Sequence, residues 1–157
     1  MGIPRPPTHR APIATVADVE LLVRRFYQAV IPDPLLGPIF HAMAVDWSVH
    51  IPKLVDFWAG RLLSVPGYEG NPVGAHQPVL DRCPFGAAEL ERWLELWEET
   101  VDELFCGEIA DLAKHRAGLA AGAIGTLADR HAGSARPSLS SPPGGVTTPG
   151  TGCRRAG

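Results

Sequence analysis

The chain contains no CxxC pair, no HExxH and no CxxCH. Its three cysteines, Cys83, Cys106 and Cys153, lie far apart. A zinc knuckle, a redox dithiol and a cofactor attached through thioethers therefore have no residues to build on. Charge of one sign is also missing: 14 Lys and Arg stand against 17 Asp and Glu, a net charge of -3. Nucleic acid calls for a basic patch, and an anionic membrane for a polybasic run; neither is present, and neither partner is expected. The most apolar run, Gly118 to Ala128, is largely Ala and Gly and too short to span a bilayer. Met1 to Thr15 is proline-rich without an apolar core, unlike a signal peptide, and Pro6 stands where a myristoylation signal needs Ser or Thr. The default expectation is a cytoplasmic protein. No segment alternates with a period of two, so the class is all-α.

What is there fits one domain of ordinary composition: 157 residues, 45% hydrophobic and 20% charged. Residues 1–16 and 132–157 are rich in Pro, Gly, Ser and Thr and are expected to lack fixed structure, because they hold too little apolar surface to offset chain entropy. Residues 17–131 are the expected folded unit. Val19, Leu22, Val23, Phe26 and Val30 recur at helical spacing, with Thr15 as N-cap and Pro32 and Pro34 as terminators. A short helix is expected within Pro34 to Ala42. A long one should run from near Trp47 to Leu63, with Leu54, Phe57, Trp58 and Leu62 inward. Pro52 fits only in a first turn, which moves the expected regular start close to His50. Val65 to Phe85 is broken by Pro and Gly and leaves room for one or two helical turns near Pro72 to His76; long irregular segments in compact domains tend to be functional. Two clear helices close the unit, Ala88 to Phe105 and Glu108 to about Ala128, the second facing inward with Ile109, Leu112, Ala113, Leu119, Ala120, Ala123, Ile124 and Leu127.

Of six histidines, His9, His131 and His115 sit in surface-like contexts. His76 lies in the broken segment between small residues. From position alone it is a loop residue or a ligand whose neutral imidazole enters an apolar slot, and the loop residue is the simpler reading. His50 either faces solvent from a first helical turn or projects into the same slot. Tyr27 flanks the first helix's stripe, where its hydroxyl would reach a cavity or the surface. Trp93 lies on a core stripe, where packing is the simpler role.

Taken together, FYQAVIPDPLLGPIF (Phe26 to Phe40), HIPKLVDFWAGRLL (His50 to Leu63), YEGNPVGAH (Tyr68 to His76) and RWLELWEETVDELF (Arg92 to Phe105) resemble the group III truncated haemoglobins over about Val19 to Ile124. DFWAG, with Phe57, Trp58 and Gly60, and the NPxxxH run ending at His76 are the most diagnostic pieces. The Gly-Gly hinges of the other truncated globin groups are missing. The resemblance implies a truncated globin fold, a helical sandwich around a haem pocket holding haem b (iron protoporphyrin IX). It implies His76 as proximal iron ligand, and Tyr27, His50 and Trp93 on the distal side. Leu54, Phe57 and Trp58 would wall the haem distally and Phe85 proximally, with Lys53 near a propionate. The implied function is reversible binding of dioxygen, nitric oxide or carbon monoxide. Nitric oxide dioxygenase or peroxidase-like turnover would need an external reductase as electron donor. The competing readings are a cofactor-free helical protein-interaction module and a non-haem metal bundle; the second lacks an ExxH partner for Glu98, Glu99, Asp102 and Glu103.

Overall fold

The computed structural model describes residues 10–135, and all of its regular elements are helical. Helix α1 spans Val16–Val30, α2 Gly37–Ala42, α3 Trp47–Leu63, α4 Gln77–Arg82, α5 Ala87–Leu104 and α6 Glu108–Ser134; a 3₁₀ turn over Gly74–His76 leads into α4. Of the long helices, α1 packs on α3 and α5, and α6 packs on α5 and more lightly on α3. These contacts close a ring around a core that includes Phe26, Trp58, Trp97 and Val101.

Helix α1 starts where its capping residues require. Thr15 accepts from the Asp18 N–H, and the Asp18 carboxylate accepts from the Thr15 N–H at 2.9 Å. This capping box satisfies two otherwise orphaned donors. The turn out of α1 is built by Asp33, whose Oδ1 accepts from the N–H groups of Leu35 and Leu36, each at 3.0 Å. Arg92 Nε on α5 donates to the other carboxylate oxygen at 2.8 Å. A Cβ added at Gly37 would lie 2.3 Å from the Ile31 carbonyl oxygen, so this close approach of α2 to the end of α1 requires glycine.

The sequence expectations need correction at four places. Helix α3 begins at Trp47, and Pro52 lies inside it. Asp46 caps the helix by accepting from Ser48 N–H at 3.0 Å. The proline ring is exposed, and the Ser48 carbonyl it leaves without an intrahelical donor belongs to an exposed residue, so water can satisfy it. On α6 the buried face is Ala110, Ala113, Ala117, Ile124 and Ala128, while Leu119 is 61% exposed. Leu119 follows Ala117 by two residues, which places it on the opposite side of the helix. The N-terminal segment expected to lack structure lies outside the described residues up to residue 9. From residue 10 it is packed: Ile13 is 2% exposed and Ala11 bridges to Phe105. The expected unstructured tail lies outside the described residues from 136 onward, and α6 runs past the expected end of the folded unit to Ser134.

Candidate functional site

The NPVGAH stretch folds back on itself. Asn71 Oδ1 accepts from Gly74 N–H at 3.0 Å, and the 3₁₀ turn that follows carries His76 at its end. His76 Nδ1 lies 2.7 Å from the Pro72 carbonyl oxygen. A carbonyl only accepts, so Nδ1 carries the proton and Nε2 keeps its lone pair. Burial lowers the His76 pKa against the opposing effect of this hydrogen bond, which favours the neutral ring. Phe85 lies beside it, with ring centres 6.3 Å apart and planes at 77°.

A second group of candidate residues lies on α3. Ile51, Val55, Trp58, Ala59 and Leu62 turn into the core, whereas His50, Leu54 and Phe57 are half-buried along its flank. These three residues are spaced by four and three, one row on a helix. His50 has its pKa lowered by burial, then by the charge of Lys53, then by that of His76. The two imidazoles are thus near enough to feel each other although they come from separate segments. Lys53 is exposed. Trp58 is 4% exposed and stacks on Trp97 at 4.4 Å, so it backs the wall formed by Leu54 and Phe57 from inside the core.

Helix α1 contributes Tyr27, which is buried in a box of aromatic rings. Phe26, Phe40, Trp47 and His50 surround it with ring centres between 4.9 and 5.7 Å away. Burial pushes the Tyr27 pKa well above the ordinary tyrosine value, while a hydrogen bond from the Trp93 side chain pulls the other way. Trp93 can only donate, so the Tyr27 oxygen is its acceptor and the Tyr27 hydroxyl proton is left for another partner.

Reading the sequence missed Phe40, Trp47, Asp33 and Arg92. Asp33 was visible only as a turn residue in DPLLGPIF, because its partner Arg92 lies far away in sequence. Phe40 and Trp47 carry no motif; they matter because α2 folds over Tyr27. Among the described residues no group of three or more His, Cys, Asp or Glu is placed to hold a metal ion, so a ligand set made only of side chains is not assembled there. The residues do fit a haem. One imidazole with a free Nε2, a second imidazole within its electrostatic reach, and half-buried apolar residues along α3 suit a flat apolar cofactor with one protein ligand.

Four long helices closed on one another define an all-α protein, and its fold is that of a truncated globin. No family model matches the chain. It is 35% identical over 104 residues to a group 3 truncated haemoglobin of Campylobacter jejuni, a match covering 64% of this chain and 80% of that protein. A crystal structure of group III truncated haemoglobin from Campylobacter jejuni superposes with a TM-score of 0.66 at 31% identity, covering 75% of this chain and 94% of the other. The chain belongs to the group III truncated haemoglobin family, whose members are haem proteins.

Proposed function

We propose that the protein holds haem b and reversibly binds dioxygen, nitric oxide or carbon monoxide, with His76 Nε2 as the one protein ligand to iron. The observation that carries this reading is the 2.7 Å hydrogen bond from His76 Nδ1 to the Pro72 carbonyl, which orients the ring and leaves Nε2 as a base. A metal-binding imidazole commonly makes such a bond through its other nitrogen. In this reading Leu54 and Phe57 would wall the distal side with Trp58 behind them, Phe85 would wall the proximal side, and Lys53 would pair with a propionate.

Haem supplies an iron at which a diatomic gas binds. The chain supplies selectivity among gases. Tyr27 offers a hydroxyl proton whose oxygen is already hydrogen-bonded to Trp93, and this arrangement favours the more polar ligand, dioxygen, over carbon monoxide. One neutral hydrogen bond contributes about 1 kcal/mol, roughly fivefold to tenfold in affinity. His50 reaches the same space in its neutral form. The rings packed around Tyr27, which is itself buried, exclude water that would compete for its proton. Redox turnover, whether nitric oxide oxidation or peroxide reduction, draws electrons from an external reductase. No helix among the described residues is long and apolar enough to cross a membrane.

The test is haem reconstitution followed by spectra in the ferric, ferrous and carbon monoxide forms. An intense Soret band is expected. His76→Ala should lose the ferrous spectrum of histidine ligation, and added imidazole should restore it in His76→Gly. Wild-type ferrous and carbon monoxide spectra in His76→Ala would overturn the assignment, and absence of a Soret band in the wild type would favour the cofactor-free helical module.

A further inference from the structure

Aromatic rings continue from Trp93 through the core to Phe57 on the flank of α3 and on to Tyr68 in the segment that follows it. Trp93 and Trp97 are stacked at 6.0 Å with planes 6° apart, and Trp97 and Trp58 at 4.4 Å with planes 22° apart. Trp58 meets Phe57 at 5.2 Å, and Phe57 meets Tyr68 at 5.2 Å. Helix packing alone is satisfied by aliphatic residues, and edge-to-face pairs are as acceptable as stacked ones. Two successive near-parallel indole pairs, one closely stacked and one offset, instead give an unbroken line of adjacent indole rings. Tryptophan and tyrosine are the side chains most readily oxidised by one electron. Phenylalanine is not, so Phe57 serves as a bridge and Tyr68 as the terminus.

We propose that Trp93, Trp97, Trp58 and Tyr68 form a one-electron relay that carries oxidising equivalents from the distal space to the protein surface, where phenolic reductants quench them. The proposal rests on the haem reading above and names hydrogen peroxide as oxidant. Hydrogen peroxide takes up two electrons and two protons and leaves as two waters. The holoprotein, then two electrons short, recovers them one at a time through the relay. At each step Tyr68 loses an electron, and its phenol proton passes to water. A phenol in solution returns an electron and a proton, becoming a phenoxyl radical. Over the cycle two phenols lose two hydrogen atoms, and one peroxide yields two waters.

The surroundings of Trp97 and Tyr68 suit their places. Trp97 Nε1–H donates to the Ala113 carbonyl at 3.1 Å. That carbonyl is no base, so an oxidised Trp97 keeps its proton and passes the charge on. Tyr27, although next to Trp93, is enclosed by rings and gives no route for its proton to leave, which makes it a poor terminus. Tyr68 is half-buried, and its hydroxyl lies over Gly70, where a Cβ would stand 2.7 Å from it. Gly70 is exposed, so that hydroxyl is near solvent.

The experiment treats the haem-reconstituted full chain with hydrogen peroxide without reductant, freezes it, and records the electron paramagnetic resonance spectrum. The chain has two tyrosines, so a tyrosyl signal is assigned by Tyr68→Phe and Tyr27→Phe. The expected result is a tyrosyl signal that Tyr68→Phe abolishes and Tyr27→Phe leaves, with oxidation products in Tyr68→Phe shifting to Trp58 and Trp97 by peptide mass spectrometry. Trp58→Phe and Trp97→Phe should each lower the Tyr68 signal severalfold, and either one suffices if the other fails to fold. Guaiacol should quench the wild-type signal. A signal unchanged in Tyr68→Phe, or undiminished in the folded tryptophan variants, overturns the relay while the Soret band keeps the haem reading. Absence of a Soret band overturns both.

Discussion

Tyr27 keeps its proton because a phenolate would be stranded among rings, and the same burial keeps solvent from satisfying its hydroxyl. A ligand beside it is then the natural acceptor. Tyr27→Phe should speed dioxygen dissociation by about fivefold or more, the scale of one neutral hydrogen bond, and change carbon monoxide dissociation less. Because Trp93 donates to the Tyr27 oxygen, Trp93→Phe should have a smaller effect in the Tyr27→Phe background than alone. Stopped-flow ligand replacement reads all of these rates; equal effects on both gases would mean the residues only pack. Asp33 offers a test of a different kind. Its pKa is raised by burial but lowered by more through the hydrogen bond from Arg92, the N–H groups of Leu36 and Leu35, and the Arg92 charge. The net is a carboxyl held below the ordinary aspartate value. Its contribution to stability is complete above that ordinary value and fades as pH falls through the lower, folded one. Asp33→Asn should cost about 1.5–3 kcal/mol at neutral pH, the range for hydrogen bonds to charged groups. The gap between the two melting curves should narrow in acid.

At the scale of elements, periodicity located every long helix, since a buried stripe of large residues is a local signal. Phe26, Trp97 and Val101 announced themselves this way. What it missed has a physical reason in each case. On α6 the inward face is mostly alanine, so the larger Leu119 attracts a hydropathy reading although it faces water. The backbone can approach α5 closely only because Ala113 and Ala117 are small. Ala117→Leu should therefore destabilise by about 1–3 kcal/mol through overpacking, while Leu119→Lys should stay within about 0.5 kcal/mol of wild type. Chemical denaturation of the two variants compares them directly. Gly37→Ala should join the first class, because its methyl group would collide with the Ile31 carbonyl rather than with a movable side chain. The short helix α4 was foreseen only as a possible turn or two around Pro72 to His76; Pro78 in its first turn suits a helix start rather than preventing one.

For the whole molecule, resemblance and structure divide the work. The family resemblance, and not position, implied which histidine, tyrosine and tryptophan belong to one site, but the aromatic box and the Asp33–Arg92 tie are long-range contacts that no local pattern carries. The N-terminal segment shows the same limit: Ile13 stands in a proline-rich stretch, yet it is buried against the molecule. Ile13→Ala should cost about 2–5 kcal/mol, as for other buried aliphatic residues, and a melting temperature equal to wild type would contradict its place in the core. The position of His76 has a further consequence. It sits on a 3₁₀ turn followed by a six-residue helix, and this stretch touches the rest of the fold mainly through α6. Short helices hold little stability of their own. In the cofactor-free chain this stretch should open locally long before the global transition, and its amide hydrogens should exchange early. A ligand bond to His76 would tie the stretch to the distal wall of the molecule, so that loading the cofactor slows exchange over Gly74 to Arg82 more than anywhere in α5, and the part of the chain that captures the cofactor is also the last to become rigid.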